Sequence, residues 1–361
     1  MNNWSKADIL KLTLVKQVGT ARALKIIDNY KNFDDFRHNS TDYNKYINKD
    51  NLFSFDDLQQ KYDYQLELLE KNKDYNIVTY WDDNYPTLLK EITDPPLILY
   101  TWGKLKKIEN NAVAIVGTRK NSLYGKLVTE QLTQYLSLNN ISVVSGLASG
   151  IDTLAHLNTI KNNGHTIAVI ASGLDKLSPS LTVTHAHKII ESGGSIISNF
   201  EFGKVARLQY FMLRNRIISG ISKSVVIIES AIKGGSLWTA RFGNDQNREI
   251  FAVPGNINSD KSKGTNKLIK DNLANMLIDF EDILISLGMN PKNIFKLEEK
   301  VIEFKKEEWK QIYNNLSFEP LHIDTLANEI EFEMPTLLFN LLEMEFEGII
   351  RQLPGKYYIK N

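Results

Sequence analysis

Strands and helices that alternate through the middle of the chain predict an α/β fold built on a doubly wound, mostly parallel sheet. Two observations carry this reading. Short apolar, β-branched runs recur at 112–116, 142–145, 166–171, 195–198, 224–229 and 249–253, with helical patterns such as Tyr124 to Leu136 and Thr153 to Lys161 between them. Glycine-bearing turns follow several of these runs, as at Val116-Gly117-Thr118-Arg119 and Ser145-Gly146-Leu147-Ala148-Ser149-Gly150. Turns of that kind bring loop amides and helix N-termini to one sheet edge, where both favour negative charge. The domain is therefore expected to be Rossmann-like, with a phosphate-bearing ligand at the carboxyl ends of its strands.

Residues 1–70 read as a small helical domain, SAM-like or helix-hairpin-helix-like. Leu10, Leu12, Leu14, Val15 and Val18 precede Gly19, and Ala23, Leu24, Ile26 and Ile27 follow it. A helix, a glycine turn and a second helix can hold a DNA phosphate, but a single imperfect copy is read as plain helix packing. Asn39 to Asp50 is polar and is read as a loop. Residues 71–289 form the extended Rossmann-like domain. It opens on two further strand-like runs, Ile77–Trp81 and Leu97–Tyr100, separated by the turn signals Tyr85-Pro86 and Asp94-Pro95-Pro96. The stretch 290–306 is read as a linker. Residues 305–361 predict a winged helix: helices at Glu307–Leu316, Ile323–Ile330 and Pro335–Phe346, then a hairpin about Pro354-Gly355.

The 361-residue chain carries 43 basic and 43 acidic residues, so its total charge names no partner. The distribution does. From Glu201 to Lys270 there are twelve Lys and Arg against five Asp and Glu. From Glu319 to Asn361 there are three against eight. A basic middle suits a polyanion and an acidic tail does not. Within the third helix of that tail, Pro335–Phe346 contains Glu343 and Glu345 and no basic residue, so a protein contact is expected there rather than DNA reading. The absence of cysteine excludes disulfides, thiol catalysis and cysteine-ligated metals. The six histidines show no metal-ligand spacing. No apolar run approaches the roughly 18 residues that span a bilayer, and Met1–Asp8 lacks a signal-peptide core, so a cytoplasmic location is expected with no membrane contact.

Two phosphate motifs are ruled out. Gly117 and Gly125 are too far apart for an ATPase P-loop, and Lys126 is followed by Leu127 instead of a magnesium-binding hydroxyl. Gly146 and Gly150 give G-x-x-x-G, not a dinucleotide fingerprint, so no cofactor is expected. Asp152 reads as the N-cap of the helix carrying Ala155 and His156, with His156 a packing residue. Arg214-Asn215-Arg216 stands near a helix start, where positive charge opposes the helix dipole, and an anion would account for it. Phe211 can stack on a base or pack in the core. Gly234-Gly235-Ser236-Leu237-Trp238-Thr239-Ala240 is a third glycine turn at the same edge, and Lys261–Lys267 is a basic loop beyond the last strand.

These segments resemble the DNA-processing protein A family, DprA/Smf. The likeness rests on Tyr85-Pro86, Asp94-Pro95-Pro96, Val116–Arg119, Ser145–Asp152, Ala155-His156, Arg214–Gly220, Gly235–Ala240, Phe251–Gly255 and Gly264-Thr265-Asn266, in family order over about 200 residues. The resemblance implies a protein that binds single-stranded DNA without catalysis, protects incoming DNA in natural transformation, loads the recombinase RecA and dimerises through the Rossmann-like domain. Together with the turns above, it nominates Gly117, Thr118, Arg119, Ser145, Gly146, Arg207, Arg214, Asn215, Arg216, Gly235, Ser236, Thr239 and Lys263 as DNA-phosphate ligands and Phe211 as the stacking residue. Departures are few. Thr118 replaces the serine of the family's Gly-Ser-Arg turn, and Met212 replaces a frequent proline. Arg207 stands slightly displaced from a frequent lysine, and Gly243–Arg248 replaces Ala-x-Glu-Gln-Gly-Arg. The competing expectation is a nucleoside-monophosphate phosphoribohydrolase-like enzyme on the same sheet. Such enzymes need a glutamate after a Pro-Gly-Gly-x-Gly-Thr turn, where this chain has Ala240 and Arg241.

Overall fold

A computed structural model describes residues 4–15, 18–39, 55–107, 111–177, 179–290, 304–317 and 320–360. The loop expected at 39–50 and the linker expected at 290–306 fall almost wholly outside them. Two compact units divide the chain, Met1–Phe295 and Lys296–Asn361.

The first unit opens with helices α1 (Lys6–Leu14), α2 (Thr20–Asn29), α3 (Phe33–His38) and α4 (Phe55–Lys71). A capping box starts α1: Ser5 Oγ accepts from the Asp8 amide at 3.1 Å, and Asp8 Oδ2 accepts from the Ser5 amide at 3.0 Å. Leu10, Leu12, Leu14, Ala23, Ile26 and Ile27 are buried in a core that also contains Leu97, Ile98, Tyr100 and Trp102 of the sheet. Packing therefore accounts for this glycine-turned helix pair, and the unit runs through residue 70 without a break in its core.

Nine strands form the sheet: β1 (Tyr75–Thr79), β2 (Ile98–Trp102), β3 (Ala112–Val116), β4 (Ser142–Ser145), β5 (Thr166–Val169), β6 (Ser195–Ser198), β7 (Ser224–Ile227), β8 (Glu249–Ala252) and β9 (Asn275–Met276). Their order is β1-β2-β6-β5-β4-β3-β7-β8-β9. β1–β2 and β2–β6 pair antiparallel, and the remaining neighbours pair parallel. The central strands are buried on both faces, which is why they read as unbroken apolar runs. Along β2 the side chains alternate between two cores: Ile98, Tyr100 and Trp102 join the core of the N-terminal helices, and Leu99 joins the core under Tyr85, Ile217 and Ile218.

The linking helices are α5 (Thr87–Lys90), α6 (Leu123–Leu138), α7 (Ile151–Lys161), α8 (Ser180–Glu191), α9 (Leu208–Ile221), α10 (Ser236–Asp245), α11 (Lys263–Lys270) and α12 (Glu281–Ser286). From β3 the chain winds through β4, β5 and β6 on one side, then crosses by α9 to β7 on the other. Strand order thus reverses between β3 and β7. A crevice outside the carboxyl ends of such a pair is where open α/β sheets bind ligands.

The second unit is a winged helix. It comprises α13 (Glu307–Asn315), β10 (Leu321–His322), α14 (Ile323–Ile330), α15 (Met334–Phe346), β11 (Ile350–Leu353) and β12 (Tyr357–Lys360), with sheet order β10-β12-β11. Trp309, Ile312, Leu326, Leu337, Leu341, Met344 and Tyr358 make its core. Gly355 and Lys356 turn the wing with φ of 83° and 59°.

Candidate nucleic-acid interface

Three loops meet at the crevice: 117–122 after β3, 146–150 after β4, and 228–235 after β7. They pack too closely for side chains at several points. A Cβ on Gly150 would lie 2.3 Å from the Thr118 carbonyl, and its φ of 85° disfavours any L residue. Leu147 also holds a positive φ, 54°, while buried. Strain of this kind persists only where the surroundings over-determine it.

The helices after β3, β4 and β7 present their N-termini differently. At α6, Ser122 Oγ accepts from the Gly125 amide, and Glu229 accepts from both the backbone and the hydroxyl of Ser122. At α7, Gly150 is the N-cap and Asp152 sits in the first turn. The N-cap role expected for Asp152 is thus filled by glycine, because the left-handed turn leaves no space for a side chain. Asp152 is buried and accepts instead from the amides of Gly117, Ala148 and Gly146. At α10 no side chain caps the helix and no acid lies in its first turn. That N-terminus is the one of the three left open to an anion.

Arg214 projects into the crevice from α9. Its guanidinium occupies the space a side chain on residue 146 would fill: a Cβ on Gly146 would lie 1.4 Å from Nη1. The side chain is 3% exposed, and Asp152 Oδ2 is 4.0 Å from Nη1. Burial pulls the Arg214 pKa down to about 10, with Asp152 opposing the shift, so the group remains a cation at neutral pH. Burial likewise raises the pKa of Asp152, against the pull of Arg214 and the three amides. Nε and Nη1 of Arg214 have no hydrogen-bond acceptor among the described residues, although buried donors are normally paired. Phe211, one turn earlier, has two cations over its ring. The Arg119 guanidinium lies 5.3 Å from its ring centroid and that of Arg214 lies 5.9 Å away.

Two cavities adjoin Phe211 and share Arg119, Ala148, Phe211 and Arg214. One, of about 420 Å³, has apolar walls that include Leu147, Ile170 and Leu177, with Lys176 and His185 at the rim. The other, of about 370 Å³, lies at the β3–β7 reversal and is lined by Gly117, Thr118, Asn215, Gly235, Ser236 and Thr239. Among the described residues lining either cavity, Asp152 is the one carboxylate. Cations, open amides and an aromatic face make a site suited to a phosphate joined to a planar ring.

Residues 76–288 match the model of the DNA recombination-mediator protein A family, and residues 306–356 match that of the DprA winged helix domain. The chain belongs to the DNA recombination-mediator protein A family. It is 34% identical to Protein Smf of Escherichia coli K12 over 283 residues, covering 76% of this chain and 74% of the relative. It is 36% identical to DNA processing protein DprA of Bacillus subtilis over 213 residues, covering 59% and 71%. The structure of Streptococcus pneumoniae DprA superposes with a TM-score of 0.61 at 28% identity, covering 78% of this chain and 97% of that one. Helicobacter pylori DNA processing protein A, described for its single-stranded DNA binding mode, superposes with a TM-score of 0.53 at 29% identity, covering 59% and 95%.

Against the ligands expected for this family, the crevice gathers Gly117, Thr118, Arg119, Gly146, Phe211, Arg214, Asn215, Gly235, Ser236 and Thr239. Four others are placed differently. Ser145 is fully buried and its hydroxyl donates to the Ile115 carbonyl at 2.6 Å, a bond across the sheet that leaves no donor for a phosphate. Arg216 points to the other side of α9, where it donates to the Asp94 carbonyl and lies 3.6 Å from the Asp94 carboxylate. It anchors the Asp-Pro-Pro turn. Lys263 pairs with Asp260 at 2.6 Å and lines neither cavity. Arg207 is exposed just before α9 and also lines neither. Glu229 was not singled out from sequence; its position directly after an apolar strand was the available signal.

His156 is the packing residue expected of it. Thr166 Oγ1 donates to the Val143 carbonyl at 2.9 Å, so the 2.7 Å contact with His156 Nδ1 needs the proton on Nδ1. Nε2 is buried without a partner. Burial, then the charges of Arg214 and His185, hold its pKa down to about 3.

Two predictions follow from these buried groups. Removing the guanidinium strands Asp152 in the interior. Arg214→Ala should therefore lower stability by about 3 kcal/mol, and adding Asp152→Asn should restore part of the loss. Equal urea midpoints for the single and double variants would show that the two residues are not coupled. For His156, the folded pKa lies below the unfolded one, so its contribution is complete above pH 6.5 and fades as pH falls toward about 3. The fade is about 1.4 kcal/mol per pH unit at most. His156→Gln lacks it. The stability gap between wild type and this variant should narrow from pH 7 to pH 5, and a constant gap would rule the mechanism out.

Proposed function

We propose that this chain binds single-stranded DNA along the crevice, with little sequence preference and without catalysis. The observation that carries the reading is Phe211 with Arg119 and Arg214 near its ring, beside the N-terminus of α10, which has no acid and no side-chain cap. Backbone amides and guanidinium groups would take phosphates, and the Phe211 ring would take a base. Thr118, Asn215, Ser236 and Thr239 line the phosphate side; Thr239 Oγ1 is buried and has no partner among the described residues. Among the described residues lining the two cavities, the one carboxylate, Asp152, is engaged by three amides and Arg214, which argues against the phosphoribohydrolase-like alternative. Incubation with nucleoside monophosphates should release no free base on chromatography.

Protection of incoming DNA, loading of RecA and a homodimer through the Rossmann-like domain complete the proposal, and membership of the family supports them. A cytoplasmic location is part of the same proposal. Among the described residues, no helix is long and apolar enough to cross a membrane. The division proposed is a helical segment at 1–70, a DNA-binding domain at 71–289 and a winged helix at 305–361.

Binding should favour single strands over duplex and weaken steeply with salt, as counterion release requires. Arg119→Ala should cost about 1.5–3 kcal/mol of binding free energy while leaving the thermal melt unchanged, because its side chain lies in a loop at the rim. A folded variant with wild-type affinity would remove the centre of the reading.

The winged helix has a different role in this proposal. Its α15 carries no Lys or Arg and turns Leu338, Phe339, Leu342 and Phe346 to solvent. Such a face suits a protein contact, not a phosphate backbone. Deleting residues 305–361 should leave single-strand affinity nearly unchanged, and a large loss on deletion would contradict this assignment.

A further inference from the structure

Beyond the crevice, α10 carries an aromatic ring and a cation that its packing does not explain. Its inner face, Ser236, Thr239, Ala240 and Gly243, is buried. Its outer face presents Trp238, 37% exposed, and the exposed Arg241. The Arg241 guanidinium lies 5.5 Å from the Trp238 ring centroid, and Phe242 flanks the same ring at 6.3 Å. Arg241 has no carboxylate partner among the described residues. The arrangement repeats Arg119 over Phe211 at 5.3 Å, in a second place.

The two places are joined by one contact. Asn215 Nδ2 donates to the Gly235 carbonyl at 3.3 Å, tying α9 to the start of α10. Phe211 stands four residues before Asn215 on α9, hence one turn away on the same face. Trp238 stands three residues after Gly235, and its amide donates to the Gly235 carbonyl at 3.3 Å. Each ring is thus about one helical turn from the same hydrogen bond. The helix that begins at that bond has no acid in its first turn and no side-chain cap.

We propose that Trp238 and Arg241 form a second stacking platform, which takes a base of the same strand after it leaves Phe211 over the N-terminus of α10. The inference rests on the single-strand reading above and extends it from one anchored nucleotide to a path of several. An indole face accepts any base, and a guanidinium stacked on it adds a cation for the adjoining phosphate without reading sequence.

The test is a length series of oligothymidylates titrated against the full chain. Wild type should gain affinity when the oligonucleotide becomes long enough to reach from Phe211 to Trp238. Trp238→Ala should lose that increment, about five- to a hundredfold, while binding the shortest ligands as wild type does. Arg119→Ala should be weak at every length. Trp238→Phe should keep most of the affinity, but DNA should no longer quench the emission that wild type loses on binding. Thermal melts of the three variants matching wild type exclude misfolding, since both side chains substituted lie at the surface. Trp238→Ala binding long oligonucleotides as wild type does, while Arg119→Ala does not, would overturn the second platform alone. Failure of wild type to bind oligothymidylate at any length would overturn the single-strand reading and this inference with it.

Discussion

A buried arginine without a full set of partners organises the DNA-facing edge of this protein. Arg214 fills space that exists because residue 146 is glycine, and its charge is tolerated because Asp152 lies 4.0 Å away. Asp152 is fixed in turn by amides from two loops, Gly117 after β3 and Gly146 and Ala148 after β4. One ion pair therefore ties together the two loops and the helix that crosses back to β7. Burying charges in this manner is costly by itself. The cost is intelligible if an anion completes the coordination, because Nε and Nη1 remain without acceptors.

The same constraint distributes charge among the helix N-termini. Three helices follow the loops that meet at the crevice, and three open N-termini there together with two arginines would make an intensely positive surface. Glu229 through Ser122 satisfies α6, and Asp152 sits in the first turn of α7. Of these three, α10 is left without an acid or a side-chain cap, and it is the helix beside the β3–β7 reversal. A strand passing that point meets cations and aromatic rings but few groups able to read base edges, which accords with tolerance of sequence.

Much of this was legible in the sequence. The central strands announced themselves as apolar runs because both faces of the sheet are covered, and 112–116, 142–145 and 195–198 match the observed strands residue for residue. The glycine turns located the crevice for a similar reason, since loop spacing at a sheet edge is a local property of the chain. The two-residue strand β9 gave no run to detect. Side-chain direction was the other limit. Arg214 and Arg216 are two residues apart on one helix, which places them on different faces, and nothing local says which face meets the crevice. The answer depends on Asp94, 122 residues from Arg216, and on Asp152. Ser145 fails as a ligand for a comparable reason, because its acceptor is a carbonyl on the adjacent strand.

The winged helix shows how a motif can keep its fold while its surface changes role. Its three helices and wing close on a core of Trp309, Ile312, Leu337 and Tyr358, so the architecture holds without any nucleic acid. The helix that would enter a major groove presents Phe339, Leu342 and Phe346 instead of cations, and its flanking Glu343 and Glu347 are paired with Lys306 and Lys305. Neutralised flanks and an apolar centre are what a protein interface needs, with charge at the rim and none unpaired in the middle. The proposed function thus assigns DNA affinity and protein contact to separate units of one chain.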